Sequence, residues 1–328
     1  MYRKLVHFAD KFRYCWYLLC LLAAGAVAPF VKKNEKYSNL WLIAERGTDA
    51  RDNGYHLFKY LRNEHPEINA RYIIAADSPD RERFADRDRL IRYRSFEHFL
   101  AFILAKYRIS THIMGFAPDM WFFTKLDKYL IMNGKNICLQ HGIIKDDIPW
   151  MHRSNIRLEL FVCGALKEAE AVAADYGHPK GVVRYLGLCR YDALPLESNR
   201  KKSGIVLFMP TWRLYLKDIS DTEFRRSEFF IGIQKVLADR EIADVLKKRG
   251  YRMIFCPHTE VWPYLHCFSF DPETCIVPEA GNFDVQCLLI QADVLITDYS
   301  SVFFDFAYIE KPVIYYQFDR DTFRTQHY

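Results

Sequence analysis

The stretch that decides the fold is residues 292–319, ADVLITDYSSVFFDFAYIEKPVIYYQFD. Val294-Leu295-Ile296 is a short, wholly apolar run, as expected of a strand buried on both faces. Residues Ser300 to Ile309 carry apolar side chains at helical spacing, and Pro312 to Tyr316 is a second apolar run. A strand, a helix and a strand in immediate succession predict a parallel pair with a crossover helix.

Working outward, the same alternation recurs. Leu40–Ala44, Arg71–Ala76, Tyr107–His112, Lys135–Gln140 and Leu160–Gly164 read as strands. Tyr55–Asn63, Phe96–Lys106 and Leu166–Tyr176 between them read as helices. The polar run Leu196–Ser203 (LESNRKKS) interrupts this pattern and reads as a linker. After it come a strand at Gly204–Met209, a helix at Ile231–Gly250 closed by its glycine, a strand at Tyr251–Cys256 and a short helix at Val285–Gln291. The expected fold is therefore α/β, with two Rossmann-like domains facing a cleft. The expected division is a membrane-associating segment at 1–36, an acceptor-side domain at 37–198 and a donor-nucleotide domain at 199–328.

With 328 residues, half of them apolar, 27% charged and 16% aromatic, the chain can fill two cores and is neither disordered nor fibrous. The 46 basic residues against 41 acidic ones give a net charge of +5. These charges are dispersed, which argues against nucleic acid and suits anionic ligands or an anionic membrane surface. Nine cysteines without a C-x-x-C pair are not a disulfide framework, and reduced thiols point to the cytosol. Cys256, His258, His266 and Cys267 lie close in sequence but match no zinc spacing, so neither a metal nor a cofactor is expected.

Tyr14–Val31 is an uncharged run of 18 residues between Arg3, Lys4, Lys11 and Arg13 on one side and Lys32 and Lys33 on the other. That is short for a spanning helix of ~20 residues. Basic flanks on both sides favour a segment lying on the anionic cytoplasmic leaflet, peripheral or monotopic. A signal peptide cleaved near Ala26-Val27-Ala28 is the rival; Asp10 and Pro29 argue against it. A buried core helix is the third reading.

Ligands of open parallel sheets gather at the carboxyl ends of strands. Four strand ends carry polar or proton-transferring groups: Gln140-His141-Gly142, Pro210-Thr211-Trp212-Arg213, Cys256-Pro257-His258 and Thr297-Asp298-Tyr299-Ser300-Ser301. Either histidine suits a general base or a structural contact. Ser300 and Ser301 open a helix, which serves as a phosphate cradle or an ordinary cap. Asp305 lies one turn beyond Ser301. Arg190 and Arg213 read as phosphate clamps or as surface arginines.

These segments, with 41–61 (WLIAERGTDARDNGYHLFKYL), Gln140–Lys145 and Gly187–Asp192 (GLCRYD), resemble the CDP-glycerol glycerophosphotransferase family of teichoic-acid and capsule enzymes. The resemblance runs from Lys36 onward. It implies a GT-B-like fold and transfer of glycerol phosphate from CDP-glycerol to a membrane-linked polyol-phosphate or glycan hydroxyl, with release of CMP. It also implies His141 and His258 as the catalytic pair, His141 being favoured as base. Gly142, Arg190, Pro210, Thr211, Pro257, Ser300, Ser301 and Asp305 are implied as donor-binding positions. Cys189, Thr259 and Ile143-Ile144-Lys145 depart from the family pattern, which leaves the substrate open. The chain stops soon after its last expected strand, which suggests a shortened carboxyl end. CDP-ribitol transfer, a nucleotide-sugar glycosyltransferase and a non-catalytic membrane scaffold are the competing functions.

Overall fold

The computed structural model describes residues 2–127, 133–195, 202–279 and 283–326. The chain divides into two compact units, Met1–Ala193 and Leu194–Tyr328. The expected boundary at 198/199, and residues 196–201 of the expected linker, lie outside the described residues.

Among the described residues the first unit is built on seven strands: β1 (Trp41–Ala44), β2 (Ala70–Ile74), β3 (Leu90–Arg92), β4 (Tyr107–Ser110), β5 (Lys135–Cys138), β6 (Leu160–Cys163) and β7 (Val183–Tyr185). Their order is β3-β2-β1-β4-β5-β6-β7, and every pairing is parallel. Its helices are α1 (Tyr2–Val31), α2 (Asn53–Glu64), α3 (Phe96–Leu104), α4 (Met120–Asp127) and α5 (Leu166–Asp175). The strands are short and apolar because both faces are covered. Leu42, Ala44 and Ile73 join one cluster of buried side chains with Phe99 and Phe102, while Ile43, Tyr72 and Ile74 join another with Phe58 and Leu61.

Among its described residues the second unit has five parallel strands: β8 (Ile205–Met209), β9 (Arg252–Phe255), β10 (Cys275–Ile276), β11 (Val294–Thr297) and β12 (Val313–Tyr315). Their order is β10-β9-β8-β11-β12. Its helices are α6 (Asp221–Arg226), α7 (Glu228–Leu237), α8 (Arg240–Arg249), α9 (Val285–Gln291), α10 (Val302–Tyr308) and α11 (Arg320–Gln326).

Several elements depart from expectation. The helix expected at 231–250 is two helices. Asp239 stops the first and caps the second, accepting a hydrogen bond from the Ile242 backbone N–H. Strands β3, β7 and β10 escaped the reading because each has three residues or fewer and an exposed position. The helix α1 is not a separate segment. Tyr17, Leu21, Ala24 and Ala28 are buried in the first unit's core, and α1 packs on α3. Its other side is open to solvent, with Phe12 74% and Leu22 69% exposed. By length and composition Phe12–Val31 could cross a membrane.

Candidate functional site

Each unit gathers its polar groups at the carboxyl ends of its strands. In the first unit the arrangement starts from Glu45, which directly follows β1 and is buried. Its carboxylate accepts from the backbone N–H groups of Arg51, Asp52 and Tyr55 at 2.6–3.2 Å, occupying donors that the start of α2 leaves unpaired. Burial, with the Asp52 charge adding to it, pushes the Glu45 carboxyl up to about 7 against those backbone donors. The helix start lies so close to the sheet that a Cβ on Gly54 would sit 2.6 Å from the Ala44 carbonyl oxygen. The Gly54 N–H instead donates to Thr111 Oγ1, 2.8 Å away, at the end of β4.

Asp52 and Asn53 then fix two loops at once. Asn53 Nδ2 donates to the Gln140 carbonyl at 2.7 Å, and Asn53 Oδ1 accepts from the Arg190 N–H at 2.9 Å. Gln140 stands at φ 65°, a left-handed conformation that an L-residue holds only when its surroundings enforce it. The guanidinium of Arg190 donates to Asp52 at 2.7 Å and to the His141 carbonyl at 2.9 Å. Arg190 therefore holds the His141 loop while keeping a positive charge beside it.

The His141 imidazole lies against that of His112, with ring centroids 4.9 Å apart and planes 11° from parallel. His141 is exposed as a residue, but the groups packed around it, the His112 ring on one face among them, strip water from its imidazole. This desolvation, together with the charges of Arg190 and Arg46, lowers its pKa below the usual value, and Asp52 opposes the shift. An imidazole kept uncharged near neutral pH can accept a proton.

In the second unit Asp298, at the end of β11, organises the site. Its Oδ1 accepts from the backbone N–H groups of Thr211 (2.8 Å) and Tyr299 (2.6 Å), and its Oδ2 accepts from Arg213 Nη2 at 2.8 Å. Arg213 is fully buried and also donates to Asp319 at 2.7 and 2.9 Å, among the rings of Phe229, Tyr299 and Phe323. It is thus not a phosphate clamp: its charge is spent inside the unit. What it positions is Thr211, whose buried Oγ1 has no hydrogen-bond partner among the described residues.

His258 stacks on Trp212 with centroids 5.7 Å apart and planes at 17°. Its Nδ1 accepts from the Glu260 N–H at 3.3 Å, a contact that in the neutral ring puts the proton on Nε2. Ser301 begins α10 without a capping hydrogen bond from its side chain, and Ser300 Oγ accepts only at 3.4 Å from the Val302 N–H. Asp305, one turn on, is buried. The structure thus groups Thr211 with Asp298, Tyr299 and Arg213 in one unit, and His141 with Gly142 and Arg190 in the other. Of the residues weighed for a metal, it pairs His266 with Asp221 at 2.7 Å and leaves Cys267 Sγ 3.7 Å from His266; Cys256 and His258 are not part of that group.

Sequence reading missed Glu45, Asp52, Asn53 and His112 as parts of the site. All but His112 lie in the quoted run 41–61. His112 was absorbed into a strand read two residues too long; ending β4 at Ser110 puts it at a strand end beside His141.

Residues 27–327 match the CDP-Glycerol:Poly(glycerophosphate) glycerophosphotransferase family. The chain belongs to this family. It is 32% identical over 300 residues to the minor teichoic acid biosynthesis protein GgaB of Bacillus subtilis, covering 86% of this chain and 32% of that one. It is 47% identical over 132 residues to a teichoic acid poly(glycerol phosphate) polymerase of Bacillus spizizenii, covering 39% and 31%. The chain spans about a third of the length of these relatives. Among solved structures it is similar to the wall teichoic acid polymerase TagF, a variant soaked with CDPG, with a TM-score of 0.59 and 16% identity over 97% of this chain and 80% of that one. The UDP complex of Staphylococcus aureus MnaA matches at a TM-score of 0.54 and 10% identity, over 84% and 78%. Both likenesses establish the α/β fold with two parallel sheets.

Proposed function

We propose that this family member transfers a glycerol-phosphate unit from CDP-glycerol to the hydroxyl of a membrane-linked polyol-phosphate acceptor, with release of CMP, in teichoic-acid synthesis. The observation that carries this reading is the pair of histidines at strand ends with opposite proton-handling character. His141 is held uncharged beside an arginine, and His258 presents Nε2–H. In the proposed step the acceptor oxygen attacks the glycerol-bearing phosphorus and passes its proton to His141. The bond from that phosphorus to the CMP oxygen breaks, and His258 Nε2–H donates to the developing charge. Thr211 Oγ1, Ser300, Ser301 and Asp305 are proposed to hold the donor, with Gly142, Pro210 and Pro257 shaping the backbone around the catalytic groups. The cytoplasmic membrane face is the proposed location, through the exposed side of α1.

The test follows CMP release from CDP-glycerol, with CDP-ribitol and UDP-GlcNAc as parallel donors. His258→Ala and His141→Ala should each lower turnover by ~10²–10⁴, the usual worth of a positioned acid or base. Wild-type turnover in folded variants, or a preference for the nucleotide sugar, would defeat the reading.

A further inference from the structure

The parallel His112–His141 stack is not explained by the packing of an ordinary core. The chain invests several contacts in keeping His112 where it is. Its carbonyl accepts from Ser110 Oγ at 2.6 Å and from the Gly115 N–H at 3.0 Å, closing a tight turn after β4. That turn packs tightly on the residue that follows β1, since a Cβ on Gly115 would overlap the Glu45 carbonyl oxygen. The Nδ1 of His112 is buried and has no hydrogen-bond partner among the described residues. A polar atom left so is costly unless the ring serves another purpose.

We propose that His112 is a positioning residue for His141: its ring fixes the plane of the neighbouring imidazole and covers one face of it against water. The inference rests on the reading of His141 as the base. Two imidazolium rings at this separation repel, so the stack is compatible with at most one proton. Burial and the charge of a protonated His141 hold His112 well below its usual pKa, and Arg46 adds to this. The groups facing His141 are Asp52, Arg190 and Arg46. Asp52 favours its protonation and the two arginines oppose it. Removing the His112 ring would admit water to the covered face and ease proton uptake by His141.

The experiment compares His112→Ala with His112→Phe, which keeps a flat ring in place, in the full chain with CDP-glycerol. It measures CMP release against pH and follows the His141 resonance by NMR, assigned by its loss in His141→Gln. His112→Ala should lower kcat by about ten- to hundredfold through lost orientation, with KM for the donor unchanged. It should also move the acid limb of the pH profile upward, together with the His141 titration. His112→Phe should restore most of the rate. A folded His112→Ala protein with the wild-type His141 titration overturns the proposal, as does a His112→Phe protein as impaired as the alanine variant. A shifted His141 titration with unchanged CMP release supports the hold of His112 on His141 and overturns His141 as the base.

Discussion

The Arg213 guanidinium lies between two buried carboxylates, Asp298 and Asp319. Asp319 follows β12, so this pairing fastens the far end of the unit to the loops that end β8 and β11. Removing one partner of a buried ion pair leaves a charge without compensation. Arg213→Met, which leaves the two buried carboxylates facing each other without their cation, is therefore expected to destabilise the protein by ~3–5 kcal/mol in urea unfolding; a loss under about 1 kcal/mol would contradict the pairing. His98 makes a second residue-scale case. It is fully buried, with Nδ1 accepting from the Arg94 N–H at 3.0 Å and Nε2 meeting the Phe116 carbonyl at 2.9 Å. Only the neutral ring satisfies both, and burial lowers its pKa to about 4. The unfolded chain takes up this proton near pH 6.5 and the folded chain does not. Stability is thus lost as pH falls from about 6.5 towards 4, by about 3 kcal/mol in full. His98→Gln should flatten that slope in melts run across the window; an unchanged slope would remove His98 as its cause. The strand-end rule alone found His141, Thr211, His258 and Ser300. It could not separate Arg213 from a ligand-binding arginine, because its aspartate partner Asp319 is 106 residues away in sequence.

The helix α1 has two chemistries on opposite sides. Tyr17, Leu21, Ala24 and Ala28 are buried, and Tyr14 stacks on Phe122 of α4 with centroids 5.0 Å apart. Phe12, Trp16, Leu19 and Leu22 face outward at helical spacing, beside the basic Arg13. The core-helix reading therefore describes the buried side of this segment, and the exposed side is the one that the proposed membrane contact would use. The triple variant Trp16→Ser, Leu19→Ser, Leu22→Ser is expected to weaken binding to anionic vesicles by about two powers of ten or more. Its thermal melt should be unchanged, because the three side chains pack on little within the protein. Vesicle affinity equal to wild type would sink the docking role of this side. Hydrophobic period located the long elements from sequence, but α6, the start of α7 and the break between α7 and α8 were legible only through their caps. Ser220, Ser227 and Asp239 each accept from an N–H three residues on, and the reading passed over them to follow the apolar spacing.

At the scale of the molecule, two units each carry their own sheet and core. Alternation of apolar strands with helices made both sheets legible; strand order was not, since it depends on crossovers that sequence does not encode locally. Thr211, His258, Ser300, Ser301 and Asp305 all belong to the second unit. That unit, prepared as residues 194–328, is expected to melt cooperatively and to bind CDP-glycerol within about tenfold of the full chain in calorimetric titration, a tenfold loss being about 1.4 kcal/mol. A folded fragment without affinity would place the main donor contacts elsewhere. The two strand orders share one property. In each sheet the strand nearest the amino terminus is an inner one: β1 lies between β2 and β4, and β8 lies between β9 and β11. As the chain leaves the ribosome, the strand synthesised first in each unit is therefore one with room for a neighbour on either side. Each later strand then adds to an edge that already exists, so the nascent chain never has to open a formed sheet to admit a latecomer. Long-range parallel pairing is slow and exposes sticky edges. Growth outward from a first-made inner strand confines that exposure to the two current edges at every moment of synthesis.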